Sequence, residues 1–255
     1  MVRNELNILG FPESVKRCDL GVRLCYLSTS KNTLVQYSQE NHSFYKSAIN
    51  ESGLIQIQKE ILAYKRAPLL LTPNYKYDIY GDNHRLITEP LSITKTTRLT
   101  LIHEFSSKLR LDNSEKHIRK RLSELIRFLI EADDGLNVDY GVLLKYENWD
   151  NINSGIEHGD FNYWNIGRSE SGDLKLIDWE YVNYHGIFGI DFVQYCFYRY
   201  CARLPARTAF SLLRKLVSKF DYDNKYILLF IARELEAGKE SRKLSNVLSI
   251  CVRKF

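Results

Sequence analysis

Residues 155–181 read GIEHGDFNYWNIGRSESGDLKLIDWEY, and four polar side chains in this stretch decide how the rest of the chain is interpreted. They are His158, Asp160, Asn165 and Asp178. Asp160 and Asn165 lie five residues apart in a segment rich in glycine and asparagine, which predicts a loop rather than a helix. The apolar run before Asp178 alternates with a lysine, which predicts a short strand that ends at this carboxylate. Two carboxylates and an amide oxygen are therefore expected to converge.

Side chains of these types suit phosphoryl transfer, which depends on positioning and on neutralisation of charge. Mg²⁺ prefers oxygen ligands and keeps several waters, so the Asp178 carboxylate and the Asn165 amide oxygen can hold it against nucleotide phosphates. A second carboxylate must accept or orient the proton of the attacking hydroxyl, and Asp160 is the candidate. His158 is then a structural support for the loop.

The segment HGDFNYWN, residues 158–165, resembles the HGDxxxxN catalytic loop of the aminoglycoside phosphotransferase and choline kinase branch of the protein-kinase-like fold. The segment IDWE, residues 177–180, is similar to the one that stands in that branch where protein kinases have DFG. Either motif alone is weak, because an Asp followed by an Asn is usually a turn. Together, in the order and at the spacing of the family, they imply a kinase that uses ATP, or alternatively GTP, with Mg²⁺.

Length and composition agree with one globular chain. The 255 residues are enough for one domain of two lobes, and 44% hydrophobic with 13% aromatic residues excludes disorder. The sequence shows no secretory signal and no apolar run of about 18 to 20 residues for a membrane span, so we expect a cytoplasmic protein. The five cysteines show no CxxC spacing, and we expect them to be reduced packing residues.

Three short runs, residues 22–28, 33–39 and 43–49, predict an antiparallel meander. The first turn lies where a kinase-like fold covers the nucleotide, and it contains no glycine. Phosphates there would meet backbone amides and the hydroxyls of Ser28 and Ser30 instead of a glycine-rich cradle. An ordinary hairpin turn is the alternative interpretation.

Lys46 interrupts the apolar pattern of the third strand. The resemblance implies that it holds the α- and β-phosphates of the nucleotide and pairs with a glutamate on the next helix; a solvated strand lysine is the alternative. Helical spacing of apolar residues predicts that helix over about residues 52–66. Glu60 is the favoured partner, ahead of Glu51 and Glu40.

Residues 74–80 and 84–90 are predicted to form a hairpin, and Pro90 then ends the ladder. This point resembles the hinge between the two lobes of the family. The resemblance implies that adenine would contact the backbone carbonyl of Glu89 and the backbone amide of Leu91.

Helical spacing prevails beyond Leu91, with one helix over residues 99–109 and a second from His117 to Ala132. Asp191, after the IDWE segment, resembles a family aspartate that braces the HGD loop. An acid at a helix N-terminus is the alternative and compatible interpretation.

The C-terminal region, residues 188–255, contains 13 Lys and Arg against 6 Asp and Glu, a net charge of +7. Acceptors usually bind the C-terminal helices in this fold, and a polycationic aminoglycoside would need carboxylates there. We therefore expect an anionic or neutral sugar-type acceptor; a solvated basic face is the alternative. Tyr195, Phe197, Tyr198 and Tyr200 either stack on sugars or belong to the core.

The sequence thus predicts an α+β, two-lobed protein-kinase-like fold, with a nucleotide-binding lobe over residues 1–90 and a catalytic and acceptor-binding lobe over residues 91–255. The alternative function is a catalytically silent scaffold that binds a nucleotide or a glycan. Kinases of protein side chains are disfavoured because no APE-like segment follows Asp178. No nucleic-acid motif accompanies the basic charge. Peripheral membrane contact stays compatible with the sequence, which leaves the oligomeric state open.

Overall fold

The computed structural model describes residues 22–27, 32–38, 40–80, 83–93, 98–111, 115–131, 152–238 and 242–252. These residues form two compact units. The first unit contains the described residues up to 93 together with residues 165–180. The second contains those of residues 98–164 and 181–252. Ser28 and Ser30, predicted to face the phosphates, lie outside the described residues.

Strands and helices are numbered along the described chain. The strands are β1 Val22–Leu27, β2 Thr33–Ser38, β3 Ser43–Ala48, β4 Tyr75–Tyr80, β5 Asn83–Thr88, β6 Ser92–Ile93, β7 Ser154–Glu157, β8 Ile166–Arg168, β9 Leu174–Leu176 and β10 Asn183–Ile187. The helices are α1 Glu51–Arg66, α2 Leu99–Ser107, α3 Glu115–Glu131, α4 Ile190–Cys196, α5 Ala206–Val217, α6 Asn224–Glu236 and α7 Arg242–Val252. A π-helix at Phe197–Cys201 follows α4, and short 3₁₀ turns lie at Trp179–Tyr181 and Ser218–Phe220.

An antiparallel five-stranded sheet forms most of the first unit, in the order β1-β2-β3-β5-β4. Strand β3 is central, and its Lys46 stands opposite Val35 of β2 and Leu86 of β5. Leu86 is buried, so the backbone of Lys46 lies beside an apolar, packed position in the middle of the sheet. The sheet thereby fixes the backbone position of Lys46 from both sides.

Helix α1 follows β3 directly and packs against it. The side chain of Asn50 caps its start by accepting a hydrogen bond from the Gly53 amide at 2.9 Å. Position 53 accepts only a residue without a side chain, because an added Cβ at Gly53 would lie 2.0 Å from the backbone oxygen of Asn32. The helix ends before Pro68, since a residue that precedes proline disfavours the helical conformation. The short connection between β3 and α1 keeps the buried face of α1 on the sheet.

A second, three-stranded sheet in the order β6-β8-β9 completes the first unit. The Leu176 amide donates to the Leu71 carbonyl at 2.7 Å, which attaches β9 to the segment after α1. Gly167 of β8 lies against Leu91, where an added Cβ would approach the Leu91 Cβ to 2.5 Å. Residues 165–180 therefore pack as part of the first unit although they are distant from it in sequence.

The second unit is mainly helical, with one small sheet of β7 and β10. Helix α6 is its core element, because every residue from Tyr226 to Glu234 is buried. Helix α5 is amphipathic: it buries Phe210 and Leu213, whereas Arg214 is exposed. Arg207, Arg214 and Lys215 of this helix are exposed, so part of the basic charge predicted for this region lies on its outer face.

The predicted α+β class is confirmed, with an antiparallel sheet and one helix early in the chain and mostly helices later. Strands β7 and β10 were not predicted, because each is short and glycine-containing and finds its partner only about 30 residues away. Within the described ranges, the helices are all too short or too polar to cross a membrane.

Candidate active site

Lys46 is held by carboxylates within the first unit. Its Nζ donates to Glu60 Oε2 at 2.8 Å and to Asp178 Oδ1 at 2.6 Å, and Glu180 lies 3.8 Å away. Only 15% of the side chain is exposed. Burial alone would lower the pKa of Lys46, but the charges of Glu60, Asp178 and Glu180 outweigh burial and raise this pKa above its ordinary value. The lysine therefore stays protonated.

Glu60 is a buried carboxylate that joins three parts of the first unit. Besides Lys46, it accepts hydrogen bonds at Oε1 from the Tyr64 hydroxyl at 3.1 Å and from the Asp178 amide at 3.0 Å. Only 2% of Glu60 is exposed, so these partners replace the water that an ionised carboxylate requires. Burial first, and then the Glu60 charge, raise the pKa of the Tyr64 phenol. Tyr64 therefore stays a hydrogen-bond donor to Glu60.

Asp178 follows β9 in an uncommon backbone conformation. Its φ of 66° lies in the left-handed region, which costs free energy for a residue with a Cβ and persists only where neighbours enforce it. The enforcing contacts are the hydrogen bond from its amide to Glu60 and the bond from the Trp179 indole to the Leu176 carbonyl at 2.7 Å. These contacts aim the Asp178 carboxylate at Lys46.

Asn165 and Asp178 lie at the same end of the β8–β9 hairpin. The Ile177 amide donates to the Asn165 carbonyl at 3.0 Å, which extends the ladder by one residue beyond Ile166 and Leu176. The two predicted metal ligands thus come from opposite strands of one hairpin, and 34% of the Asp178 side chain is exposed.

A carboxylate and an amide oxygen are the ligand types that Mg²⁺ takes while it keeps several waters. Lys46 carries one positive charge against the carboxylates of Glu60, Asp178 and Glu180, which leaves this cluster net negative. Within the described part of the chain, no group of three or more His, Cys, Asp and Glu side chains is placed to hold a metal. One carboxylate and one amide oxygen, those of Asp178 and Asn165, fit a Mg²⁺ ion that keeps several of its waters.

The loop around Asp160 belongs to the second unit and begins where β7 ends. The buried His158 donates its amide to Asp191 Oδ2 at 2.6 Å, and its ring Nδ1 lies 3.3 Å from the Asp160 amide. Gly159 has a φ of 82° and lies so close to Tyr181 that a Cβ would approach it to 2.7 Å. Only glycine fits this turn, since it needs both a left-handed backbone and an absent side chain.

The Asp160 side chain is oriented by its neighbour. Asn162 Nδ2 donates to Asp160 Oδ1 at 2.5 Å, and the Asn162 amide donates to the Asp160 carbonyl at 2.8 Å. The pair forms a compact turn in which Asn162 is buried and Asp160 is half-buried. The carboxylate is therefore fixed in direction while it keeps access to solvent.

Asp191 lies in the first turn of α4 and is itself ion-paired. Arg233 Nη1 donates to Asp191 Oδ1 at 2.5 Å, and both side chains are 5% exposed. Burial would lower the pKa of Arg233, but Asp191, Glu234 and Glu157 raise it above its ordinary value. Asp191 thus meets the loop backbone on one side and a buried cation on the other.

Glu89 and Leu91 lie on either side of Pro90 in the first unit. The Glu89 carboxylate accepts from the Asn74 amide and side chain, each at 2.9 Å, and the Glu89 amide donates to the Asn74 carbonyl at 3.0 Å. These bonds fix the segment that follows β5. The Leu91 side chain packs against Gly167.

Of the aromatic residues considered for stacking, Tyr195 and Phe197 are buried core residues, Tyr198 is half-buried and Tyr200 is 39% exposed. A further aromatic residue, Trp164, is 41% exposed. Its ring centroid lies 4.8 Å from that of Tyr163 and 6.3 Å from that of Tyr198. The Arg199 guanidinium lies 4.9 Å from the Tyr163 ring centroid.

Two further residues with polar contacts escaped the sequence analysis. Tyr64 is one helical turn after Glu60, and Gln194 is three residues after Asp191, so each lies on the face of its helix that carries an acidic site residue. Helical spacing from the predicted acid could have found both.

Comparison with protein-family models gave no match, and neither did comparison with curated protein sequences. Solved structures do match. The streptomycin-ATP-APH(2")-IIa ternary complex is similar at 11% sequence identity, with a TM-score of 0.54 over 98% of this chain and 96% of that chain.

Two other similar structures are the aminoglycoside phosphotransferase APH(2'')-Ib in ADP-bound form and the choline kinase LicA from Streptococcus pneumoniae. The first has 12% identity and a TM-score of 0.49 over 99% of this chain and 96% of that chain. The second has 15% identity and a TM-score of 0.48 over the same shares. The chain thus has the protein-kinase-like α+β fold that its two motifs predicted.

Proposed function

We propose that this protein is an ATP-dependent phosphotransferase that phosphorylates a hydroxyl group of a small molecule or glycan. The observation that carries the proposal is Lys46 held between Glu60 and Asp178, 2.8 Å and 2.6 Å from its Nζ. A half-buried lysine kept cationic by two carboxylates is suited to bind nucleotide phosphates.

Lys46 would hold the phosphates, and Glu60 would keep its ammonium group in place. Asn165 and Asp178 would hold Mg²⁺, which supplies neutralisation of the charge on the transferring phosphoryl group. The adenine would be recognised by the Glu89 carbonyl and the Leu91 amide, with Ser28 and Ser30 at the phosphates.

Asp160 would accept the proton of the acceptor hydroxyl. Its Oδ1 takes the hydrogen bond from Asn162, which orients the carboxylate. His158 and Asp191 would hold the loop backbone, by the contacts of 3.3 Å and 2.6 Å that they make with it. Positioned general bases of this type contribute about 10²-fold to 10⁴-fold to a rate.

The nucleotide-binding part would comprise residues 1–90 and the catalytic and acceptor-binding part residues 91–255, as the sequence predicts. The grouping of residues 165–180 with the first unit adds Asn165 and Asp178 to the nucleotide-binding part.

The acceptor class we favour is an anionic or neutral sugar. Trp164 presents an exposed ring four residues after Asp160, and aromatic faces are suited to stack on sugar rings. The neighbouring Arg199 supplies a guanidinium that favours a phosphate or carboxylate substituent, and it disfavours a polycationic acceptor.

The test is Mg²⁺-dependent phosphoryl transfer from ATP and GTP by the wild type and by Asp178→Ala. The acceptor panel contains neutral sugars, sugar phosphates, choline and aminoglycosides. We expect turnover that one acceptor class raises and that the variant loses. Absence of both turnover and Mg²⁺-dependent nucleotide binding would support the silent scaffold instead.

The acceptor class is tested by Trp164→Leu and Arg199→Ala, with the exposed Arg203→Ala as the matched control. We expect the first two to raise the KM for the acceptor about tenfold and to leave the KM for ATP unchanged. Preferred use of a polycationic aminoglycoside by the wild type would contradict the acceptor assignment.

A further inference from the structure

We infer that Gln194 is a positioning residue that holds the peptide groups on both sides of Asp160. The inference rests on the proposed function, because it concerns the residue assigned there as the base. It adds to that function a residue outside both sequence motifs.

The Gln194 side chain brackets the loop by two hydrogen bonds. Its Oε1 accepts from the Phe161 amide at 2.8 Å, and its Nε2 donates to the Gly159 carbonyl at 3.1 Å. The two bonded residues are the immediate neighbours of Asp160. Gln194 is fully buried, so water cannot replace either bond.

The orientation of the Gln194 amide is itself fixed. Nε2 also donates to Glu234 Oε1 at 3.1 Å, and Glu234 accepts the Tyr198 hydroxyl at Oε2 at 2.5 Å. Glu234 is fully buried, and a carboxylate can only accept hydrogen bonds when ionised. It therefore requires the amide nitrogen of Gln194 on its side, which leaves the amide oxygen for Phe161.

A residue with one donor and one acceptor in a fixed geometry is needed here, because the loop offers a carbonyl on one side and an amide on the other. Asp191 does not serve this purpose: it accepts from the amides of His158 and Gly159, which precede Asp160. Gln194 is thus the side chain, among those described, that bonds the loop after the base as well as before it.

The two bonds fix the direction of the Asp160 side chain, since its Cα lies between the bonded peptide groups. A shift of about 1 Å in a catalytic group can cost about 10²-fold in rate. We therefore expect Gln194→Met, which keeps the length of the side chain and loses both bonds, to lower kcat about 10-fold to 100-fold. The KM for ATP should stay unchanged, because the residues proposed to hold the nucleotide belong to the first unit.

Variants that exchange the side chains of Gln194 and Glu234 distinguish a positioning role of Gln194 from a merely structural one. Gln194→Glu alone places a second carboxylate beside Glu234 and should lower the unfolding temperature. The double variant Gln194→Glu with Glu234→Gln restores the number of carboxylates and still accepts from the Phe161 amide, but it leaves the Gly159 carbonyl without its donor. We expect the double variant to regain most of the unfolding temperature that Gln194→Glu loses and to keep a kcat at least tenfold low.

The control is Val247→Ala, which removes buried methyl groups from α7, a helix that packs on α5 and α6, and destabilises the second unit. It should lower the unfolding temperature and retain the kcat of the wild type. Full activity of the double variant or of Gln194→Met would overturn the inference, as would an equal loss of kcat in Val247→Ala.

Hydrogen exchange of the Phe161 amide provides a readout without turnover. Protection should be present in the wild type and in the double variant and should fall in Gln194→Met. If the wild type phosphorylates no acceptor, the proposed function fails, while this exchange still decides whether Gln194 holds the loop. Unchanged protection in Gln194→Met would contradict the proposed contact.

Discussion

Lys46 Nζ lies 2.6 Å from Asp178 Oδ1, although 132 positions separate the two residues in the sequence. Glu60 joins them a second time, because its Oε2 accepts from Lys46 and its Oε1 accepts from the Asp178 amide. Strand β3, helix α1 and the segment that follows β9 therefore meet at one buried carboxylate. We therefore expect the loss of Lys46, Glu60 or Asp178 to leave each of the other two without one of its bonding partners.

Lys46→Met should raise the KM for ATP at least about tenfold, because the variant keeps the length of the side chain and loses the charge that would face the phosphates. It also leaves Glu60 and Asp178 without their shared cation. Steady-state kinetics at varied ATP concentration measure the effect. The exposed Lys59 of α1, next to Glu60, offers the control Lys59→Met, and an equal change in both variants would argue against a specific role.

Tyr64→Phe should lower the free energy of unfolding by about 1.5 to 3 kcal/mol, because it removes the hydroxyl that donates to the buried Glu60 carboxylate. Denaturant unfolding of the two proteins gives the difference. Tyr77→Phe, at a ring that is 46% exposed, should change this free energy by less than about 0.5 kcal/mol. Equal stability of Tyr64→Phe and the wild type would show that the hydroxyl contributes nothing.

Asp160→Ala should abolish turnover and leave nucleotide binding largely intact, since Asp160 is proposed as the base and the proposed nucleotide contacts lie elsewhere. Turnover assays and Mg²⁺-dependent ATP titration measure the two properties separately. Glu170→Ala, an exposed acid, should retain both. Near-normal turnover of Asp160→Ala would remove Asp160 from the role of base.

The contribution of Glu157 to the free energy of unfolding should fall as the pH rises, whereas the contribution of an ordinary ion-paired carboxylate rises with pH. Burial raises the pKa of this carboxyl above its ordinary value of 4.5, and Arg233 and Arg121 offset the rise only in part. The folded state then binds the proton more tightly than the unfolded chain. The contribution of Glu157 to the free energy of unfolding therefore falls as the pH rises from about 4.5 through the folded pKa.

The comparison with Glu157→Gln isolates this contribution, because glutamine does not titrate. We expect the free energy of unfolding of the wild type minus that of the variant to decrease as the pH rises through this window. Denaturant unfolding at a series of pH values measures it. A difference that grows with pH would show that the two arginines outweigh burial.

The local elements followed from the sequence because their causes are local. Alternating apolar residues identified β2 and β3, and helical spacing identified α1 to within one residue of its start. The resemblance implied a glutamate on the helix that follows the strand, and the helical spacing then favoured Glu60, one residue before the buried Ile61.

The sequence by itself determined the chemistry that is available: Asp160, Asn165 and Asp178 in motif order, and a basic C-terminal region. Only the tertiary structure decided which buried groups complete these residues. Gln194 bonds Gly159 and Phe161 from 35 and 33 positions away, and Tyr64 and the Asp178 amide share one oxygen of Glu60. Helical spacing places Tyr64 near Glu60 and Gln194 near Asp191, but it does not say which distant atoms they bond, because a buried polar atom takes whichever group the fold places within hydrogen-bond distance, irrespective of its position in the sequence.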